Sequence, residues 1–255
     1  MARYRAAKFD EHLTLVEHLD ELRTRIIVSI AALVVASSLC FWQNDLLLDI
    51  ANKPLPGDLV PITFGVTEPF MTTVTLSVYG GLLLALPVIL YQLYAYLLPA
   101  FSDAERRVVL PFLLAVPFLF IAGVVFAYFV VIPAATQFLL NFNASEFNIE
   151  VRAREYYSFF ALSCIAVGVL FQIPIAILAV TRLGITTPQQ LSRNRKYAIL
   201  IIAVVAMLLP GTDPVTMLIS MLPLVLLFEL SLILARMFGT PRGDAAAARA
   251  AEGPG

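Results

Sequence analysis

Long apolar runs separated by short polar segments recur along the chain and set its expected architecture. A membrane-spanning helix needs about 20 predominantly apolar residues. The pattern therefore predicts an all-α polytopic membrane protein with six transmembrane helices. The predicted spans are about Ile26–Trp42, Phe70–Leu98, Val108–Phe142, Tyr156–Thr181, Tyr197–Leu209 and Val215–Phe228. The last two runs are the shortest, so we expect a close-packed pair of short fifth and sixth helices.

The segment before the first span has the periodicity of an amphipathic helix over about residues 9–25. Its leucines recur at helical spacing and form one apolar stripe that continues into the span. Glu21 lies one turn before Arg25, which is the favoured orientation for an ion pair along a helix. We expect this helix to lie at the membrane surface and to lead into the first span.

The polar segments between the runs carry loop and capping signals. Residues 43–68 are rich in proline and acidic residues and are expected to form an exposed loop with some short structure. Thr67–Glu68–Pro69 is typical of a helix start, and Thr187–Pro188–Gln189–Gln190 is typical of a capping box. Residues 1–238 then form one membrane domain. Residues 239–255, rich in Gly, Ala and Pro, are expected to be a disordered tail.

Composition supports the membrane assignment, because 60% of the residues are hydrophobic, only 14% are charged and the mean hydropathy is +0.87. A soluble chain this apolar could not bury its hydrophobic surface. The net charge of −1 gives no reason to expect nucleic acid as a partner. Cys40 and Cys164 lie inside apolar runs and are expected to be small buried hydrophobes. No cleavage site follows the first run, so we expect it to remain as an anchor.

Basic residues predict the orientation of the bundle. Of the 17 lysines and arginines, all but Lys53, Arg152 and Arg154 fall on one side of the predicted six-span topology. Cytoplasmic loops carry the excess of positive charge. We therefore expect the N- and C-termini to be cytoplasmic.

Sequence motifs for catalysis are missing from the chain: it has no Gly-rich phosphate loop, no metal-spaced cluster of His or Cys and no nucleophile triad. We expect no enzyme activity and no cofactor. Carboxylates at predicted cytoplasmic span ends are the most informative chemistry, namely Glu21 and Glu105. Each also has a structural explanation, since Glu21 can pair with Arg25 and Glu105 can close a capping box with Ser102.

Three other polar residues near or inside the spans have structural explanations as well. Gln172 can satisfy backbone groups that Pro174 leaves free within the fourth span. Asp213 is placed to cap the start of the last helix. Glu229 is expected to be solvated at a span end and to pair with Arg236.

Five stretches, in order and at characteristic spacing between about residues 12 and 236, identify a family. They are His18–Leu19–Asp20–Glu21–Leu22–Arg23–Thr24–Arg25, Pro87–Val88–Ile89–Leu90–Tyr91–Gln92, Glu105–Arg106–Arg107, Phe126–Ala127–Tyr128–Phe129–Val130–Val131 and Gly184–Ile185–Thr186. With these stretches the sequence closely resembles the TatC family, the multi-span subunit of the twin-arginine protein translocase. The first and third stretches together are the most specific.

The resemblance implies a concave, glove-like bundle and a signal-peptide site built from the N-terminal segment and the loop between spans two and three. Glu21 and Glu105 match the family's acidic contacts for the twin-arginine motif. Arg23 matches a functional position in the N-terminal motif, and Pro54 matches a first-loop proline. Met207 and Leu208, on the short fifth span, match the side on which the single-span partners TatA and TatB dock.

The family also implies a function, a location and a source of energy. The chain is expected to be a receptor for twin-arginine precursor proteins in the cytoplasmic membrane of a bacterium or archaeon. It is expected to act within a larger complex, with several copies of itself and membrane lipids as further partners. Transport would be driven by the proton-motive force.

Two positions depart from many relatives, and one rival function remains open. Gln172 stands where many relatives carry a glutamate, and glutamine cannot titrate. Met217 stands where many carry a glutamine, which weakens the case for a polar partner contact there. The rival is a secondary transporter of a small solute, which would show inverted repeats and broken helices around a charged site at mid-membrane. No convincing repeat is present in the sequence.

Overall fold

The structure is a computed structural model that describes residues 15–57, 59–97, 103–142, 144–146, 149–182, 185–207 and 214–238. Helices account for nearly all of it, and the one β-bridge in the described part joins Ile62 to Arg152. The elements are α1 (Leu15–Trp42), α2 (Asn44–Asn52), α3 (Glu68–Leu97), α4 (Asp103–Phe126), a π-helical turn (Ala127–Val131), α5 (Ile132–Asn141), α6 (Ala153–Leu170), α7 (Ile173–Arg182), α8 (Pro188–Arg193), α9 (Arg195–Met207) and α10 (Pro214–Phe238).

Helices α1 and α3 pack antiparallel and very closely. A Cβ on Gly81 of α3 would overlap the backbone and the hydroxyl of Ser37 on α1, so only glycine allows this approach. Small residues at such contacts let the backbones of membrane helices come together. The end of the bundle that holds Leu15 of α1 is called the near face below, and the end that holds Trp42 is called the far face.

The N-terminal amphipathic segment and the first span form one continuous helix rather than two elements. Helix α1 runs for 28 residues through both, and residues 9–14 of the predicted segment lie outside the described part. The third predicted span is likewise one long rod, α4 to α5, interrupted by the π-helical turn before Pro133. The fourth span breaks at Phe171 and Gln172 between α6 and α7, as the proline at position 174 predicts.

The prediction of a short sixth helix is wrong. Helix α10 is 25 residues long, and its segment Met217–Met237 is long and apolar enough to cross a membrane. The predicted span ends at Phe228 because Glu229 is charged, but the helix continues past Glu229 to Phe238. The Glu229 carboxylate is paired with Arg195 of α9 at 2.9 Å. The predicted pair between Glu229 and Arg236 is also wrong, since Arg236 donates instead to Ser192 Oγ at 2.8 Å.

The short fifth helix does form, as α9, with 13 residues. At 1.5 Å per residue it covers about 20 Å, less than the roughly 30 Å hydrocarbon layer. Five other segments in the described part are long and apolar enough to span a membrane. The count of six spans therefore stays a prediction that depends on α9, and the tail at 239–255 lies outside the described residues.

The segment 43–68 is only partly an exposed loop. It contains α2, and Ala51 and Leu55 within it are buried. They pack in the main core against the π-helical turn and α6. The helix start at Glu68 and the capping box of Thr187 and Gln190 are both confirmed. Cys40 and Cys164 are buried and free, as predicted.

Candidate functional site

Glu21 lies on α1 at the near face, where the C-terminal end of α3 packs against it. Arg25, one turn later, donates from Nε and Nη2 to Glu21 Oε1, with an Nε–Oε1 distance of 3.0 Å. The same guanidinium donates from Nη1 to Gln92 Oε1 on α3 at 2.9 Å. The predicted Glu21–Arg25 pair is confirmed, and Gln92 extends it across the seam between the two helices.

An aromatic contact closes the same seam one turn closer to the N-terminus. The imidazole of His18 stacks on Tyr96 of α3, with ring centroids 4.3 Å apart. His18 Nδ1 lies 3.9 Å from Glu21 Oε2, the oxygen that Arg25 leaves free. The Glu21 side chain is 26% exposed. The carboxylate is therefore partly accessible at the near face.

Sequence reasoning missed the contribution of Gln92 and Tyr96. Gln92 is the last residue of the Pro87–Gln92 stretch, and Tyr96 follows it. That stretch contributes to the family resemblance, but the sequence assigns no function to its residues. They are four residues apart and so share one face of α3. The spacing of four residues indicates that the two side chains point in the same direction. It does not show that they point toward α1, because the rotation of α3 about its axis is set by packing.

The other two predicted binding residues belong to the same face of the bundle. Arg23 is exposed on α1, two residues from Glu21. Glu105 lies in the first turn of α4, which begins soon after α3 ends at Leu97. Its side chain, and with it the predicted capping box to Ser102, falls outside what the structure describes. The structure thus places the backbone of Glu105 at the near face.

The remaining predicted positions lie elsewhere. Pro54 is at the far face, where its carbonyl accepts a long hydrogen bond of 3.5 Å from Thr136 Oγ1. Met207 is exposed at the last residue of α9, away from the near face. Leu208 and Asp213 lie outside the described residues.

Gln172 is buried at the break between α6 and α7 and does not act as predicted. Its Nε2 donates to the carbonyl of Val116 on α4 at 3.2 Å rather than serving its own helix. Its Oε1 is buried without a hydrogen-bond partner in the described part of the chain. The side chain therefore ties two helices together and leaves one acceptor unused.

A second cluster, at the far face, was not predicted. Arg152 donates from Nε to Glu68 Oε1 at 2.8 Å, and its guanidinium lies over the ring of Phe64 at 5.5 Å. The Phe64 amide donates to the other oxygen, Glu68 Oε2, at 2.8 Å. The hydrogen bond to Glu68 raises the pKa of Arg152 above its ordinary value.

Two tyrosines of α6 hold α2 against this cluster. The Tyr156 hydroxyl donates to the carbonyl of Ala51 at 2.6 Å, and the Tyr157 hydroxyl donates to Asn52 Oδ1 at 2.9 Å. Together with Glu68, Phe64 and Arg152 they form what is called the far-face clamp below. It fastens the first loop to the segment that precedes α6.

The arrangement presents paired carboxylate and guanidinium groups at its two faces. In the described residues no group of His, Cys, Asp or Glu is placed to hold a metal ion. The salt bridges of the described part lie at the two faces and not at mid-membrane, unlike the charged site of a solute transporter. Arg25 uses only Glu21 Oε1, so Oε2 keeps its capacity to accept a hydrogen bond from another donor.

Five segments of the described part are long and apolar enough to cross a membrane, and ion pairs lie at both ends of the bundle, so the chain is a polytopic helical membrane protein. Comparison with known proteins names the family. The family model described as "Sec-independent protein translocase protein (TatC)" matches residues 17–223. The chain belongs to the TatC family, and is thus a multi-pass membrane subunit of a protein translocase and not an enzyme.

Relatives of this name match over most of their length. The TatC protein of Carboxydothermus hydrogenoformans is 35% identical over 89% of this chain and 94% of its own. That of Escherichia coli strain K12 is 36% identical over 88% of each chain. A crystal structure of the twin-arginine translocase receptor TatC in DDM superposes with a TM-score of 0.75 at 35% identity, covering 86% of this chain and 99% of that one. As a translocase component, the protein works in a complex with other subunits.

Proposed function

We propose that this protein is the core receptor of a twin-arginine translocation system and binds the signal peptides of folded precursor proteins at its near face. The Glu21 carboxylate carries the proposal, because it is accessible there and already holds the Arg25 guanidinium through two nitrogens. Two neighbouring arginines of a signal peptide present two such planar forks. Glu105, at the start of α4, is the second acceptor, and Arg23 completes the site.

The charge count supports a cytoplasmic near face, because the basic residues concentrate on that side. Precursor proteins made in the cytoplasm then meet the site directly. The protein is placed in the cytoplasmic membrane of a bacterium or archaeon, with the proton-motive force as its energy source. TatA and TatB dock along α9, where Met207 is exposed, and several copies of the chain assemble in the complex.

A cross-linking experiment tests the site. A twin-arginine peptide with a photoreactive group is added to the purified protein, and Glu21→Gln, Glu105→Gln and the double variant are compared with wild type. Each single change should weaken cross-linking about tenfold, because a hydrogen bond to a charged group is lost at a water–lipid boundary. A peptide with two lysines should also bind less well, since it keeps the charge and loses the fork.

The matched control is Glu155→Gln, which removes a carboxylate that is 75% exposed on the segment of the far-face clamp. It should leave cross-linking at the wild-type level. Unchanged cross-linking in both single variants and in the double variant would contradict the proposed site.

A further inference from the structure

Basic side chains gather at the near-face corner formed by α8, α9 and α10. The segment from Ser192 to Lys196 contributes Arg193, Arg195 and Lys196 and no acidic residue. Arg236 joins them from the end of α10, because its guanidinium donates to Ser192 Oγ at 2.8 Å. These four cations are called the basic corner. The contacts between α10 and its neighbours bring together charges that lie more than 40 residues apart in the chain.

The basic corner is only partly neutralised. Arg195 pairs with Glu229 at 2.9 Å, which leaves three positive charges in excess of the one carboxylate. Arg193 and Lys196 are exposed and form no salt bridge with an acidic residue of the described part. Cations held near one another repel, so an anion bound between them is favoured.

The residues of the basic corner are also those expected at the membrane–water boundary. The Lys196 ammonium sits over the ring of Tyr197 at 5.1 Å, and tyrosine is enriched at the membrane–water boundary. Below it, an apolar stripe on α9 faces outward at helical spacing: Tyr197, Leu200, Ile201 and Val204 are all exposed. The opposite face of α9 packs on α10 through Ile202 and Ala206.

We propose that the basic corner binds the headgroup of an anionic phospholipid whose acyl chains lie along this stripe of α9. Basic pockets between membrane helices recognise such headgroups. A lipid fits better than a soluble anion, because the charges and the apolar stripe adjoin within one helical turn. The inference goes beyond the proposed receptor function and does not depend on which face is cytoplasmic.

The position of the corner separates it from the proposed docking side. Met207 lies ten residues further along α9, about 15 Å from Tyr197 at 1.5 Å per residue. The lipid headgroup and the proposed docking position at Met207 therefore lie at opposite ends of the same short helix. The headgroup would be held mainly by Arg193 and Lys196, since Arg195 and Arg236 already have protein partners.

The test titrates the purified full-length protein in nonionic detergent with dioleoyl-phosphatidylglycerol or dioleoyl-phosphatidylcholine and counts bound lipids by native mass spectrometry. Phosphatidylglycerol should bind more tightly. The variant Arg193→Gln/Lys196→Gln should lose about fivefold in affinity for each cation removed, so about 25-fold in all. The matched control is Lys53→Gln/Arg154→Gln, which removes two exposed cations at the far face and should lose less than about twofold.

Further arms separate the possible sources of the signal. Glycerol phosphate at the same concentration should fail to displace the lipid, since it has no acyl chains. Displacement by it, equal binding of the two lipids by wild type, or equal losses in the two double variants would each overturn the proposal. An acidic peptide that competes as well as phosphatidylglycerol would overturn it in favour of a protein partner. The wild-type preference between the two lipids is decisive even if the variant fails to fold.

Discussion

Arg25 occupies the carboxylate that the incoming peptide is proposed to use. Its guanidinium holds Glu21 Oε1 and is anchored on its other side by Gln92. A signal-peptide arginine must therefore use Glu21 Oε2 or displace Arg25. Arg25 therefore competes with the proposed signal-peptide arginine for the Glu21 carboxylate. Its contact also shows one geometry in which Glu21 holds a guanidinium.

The variant Arg25→Lys should bind the twin-arginine peptide about twofold more tightly, because ion pairs one helical turn apart are worth little and lysine loses the forked contact while keeping the charge. Peptide affinity measured by fluorescence anisotropy checks this. Arg154→Lys, at the far face, serves as the control and should leave the affinity unchanged. Weaker binding by Arg25→Lys would mean that Arg25 orients the carboxylate rather than competing for it.

Helices α1 and α3 approach each other closely at Gly81. A methyl group added at Gly81 would meet the backbone of Ser37 as well as its hydroxyl. Backbone atoms cannot move aside as the end of a flexible side chain can. The same two helices form the seam that carries Glu21, Gln92, His18 and Tyr96. The geometry of the proposed binding site therefore depends on a contact about three to five helical turns away.

Gly81→Ala should destabilise the protein by about 1–3 kcal/mol, the usual cost of overpacking a closely packed contact. Thermal unfolding in detergent should show a Tm lower by about 2–4 °C for each kcal/mol at this chain length. Gly65→Ala is the control, since its new Cβ would meet nothing nearer than Glu68 Cβ at 4.0 Å. A Tm for Gly81→Ala at or above wild type would show that the two helices separate at no cost.

The positions of most helices could be predicted from the sequence, but the side-chain contacts between helices could not. The apolar runs gave the spans because bilayer thickness fixes their length. The sixth span was cut short because a hydropathy pattern counts Glu229 as a charge and cannot see Arg195 opposite it. Gln92 and Tyr96 escaped for the related reason that a side chain's partner depends on how two helices are rotated against each other.

At the scale of the whole molecule, α9 as described is shorter than the hydrocarbon layer, whereas α1, α3 and α10 are long enough to cross it. α9 has 13 residues, against 25 to 30 for α1, α3 and α10. From Arg195 to Met207 it covers about 20 Å, less than the roughly 30 Å hydrocarbon layer. Hydrophobic mismatch of this kind is relieved by local thinning of the bilayer or by a protein partner.

The variant Met207→Cys should react with a membrane-impermeant maleimide more slowly as the bilayer is made thicker. Reconstitution in lipids with 14-carbon and 20-carbon chains, followed by gel-shift labelling, measures the effect. The native Cys40 and Cys164 are buried and give little background. Trp42→Cys, at the far-face end of α1 and 79% exposed in the wild type, is the control whose labelling should change less. Equal slowing at both positions would contradict the mismatch.

The far-face clamp has a consequence for how the chain is made. Its tyrosines hold residues that were synthesised 105 positions earlier. At about 5–20 residues per second, a ribosome needs about 5–20 s to add that length. During this interval the first loop lacks the two tyrosine hydrogen bonds that hold α2 in the finished protein. Protease should therefore cut the first loop faster in an arrested nascent chain that ends after α5 than in one that extends past α6.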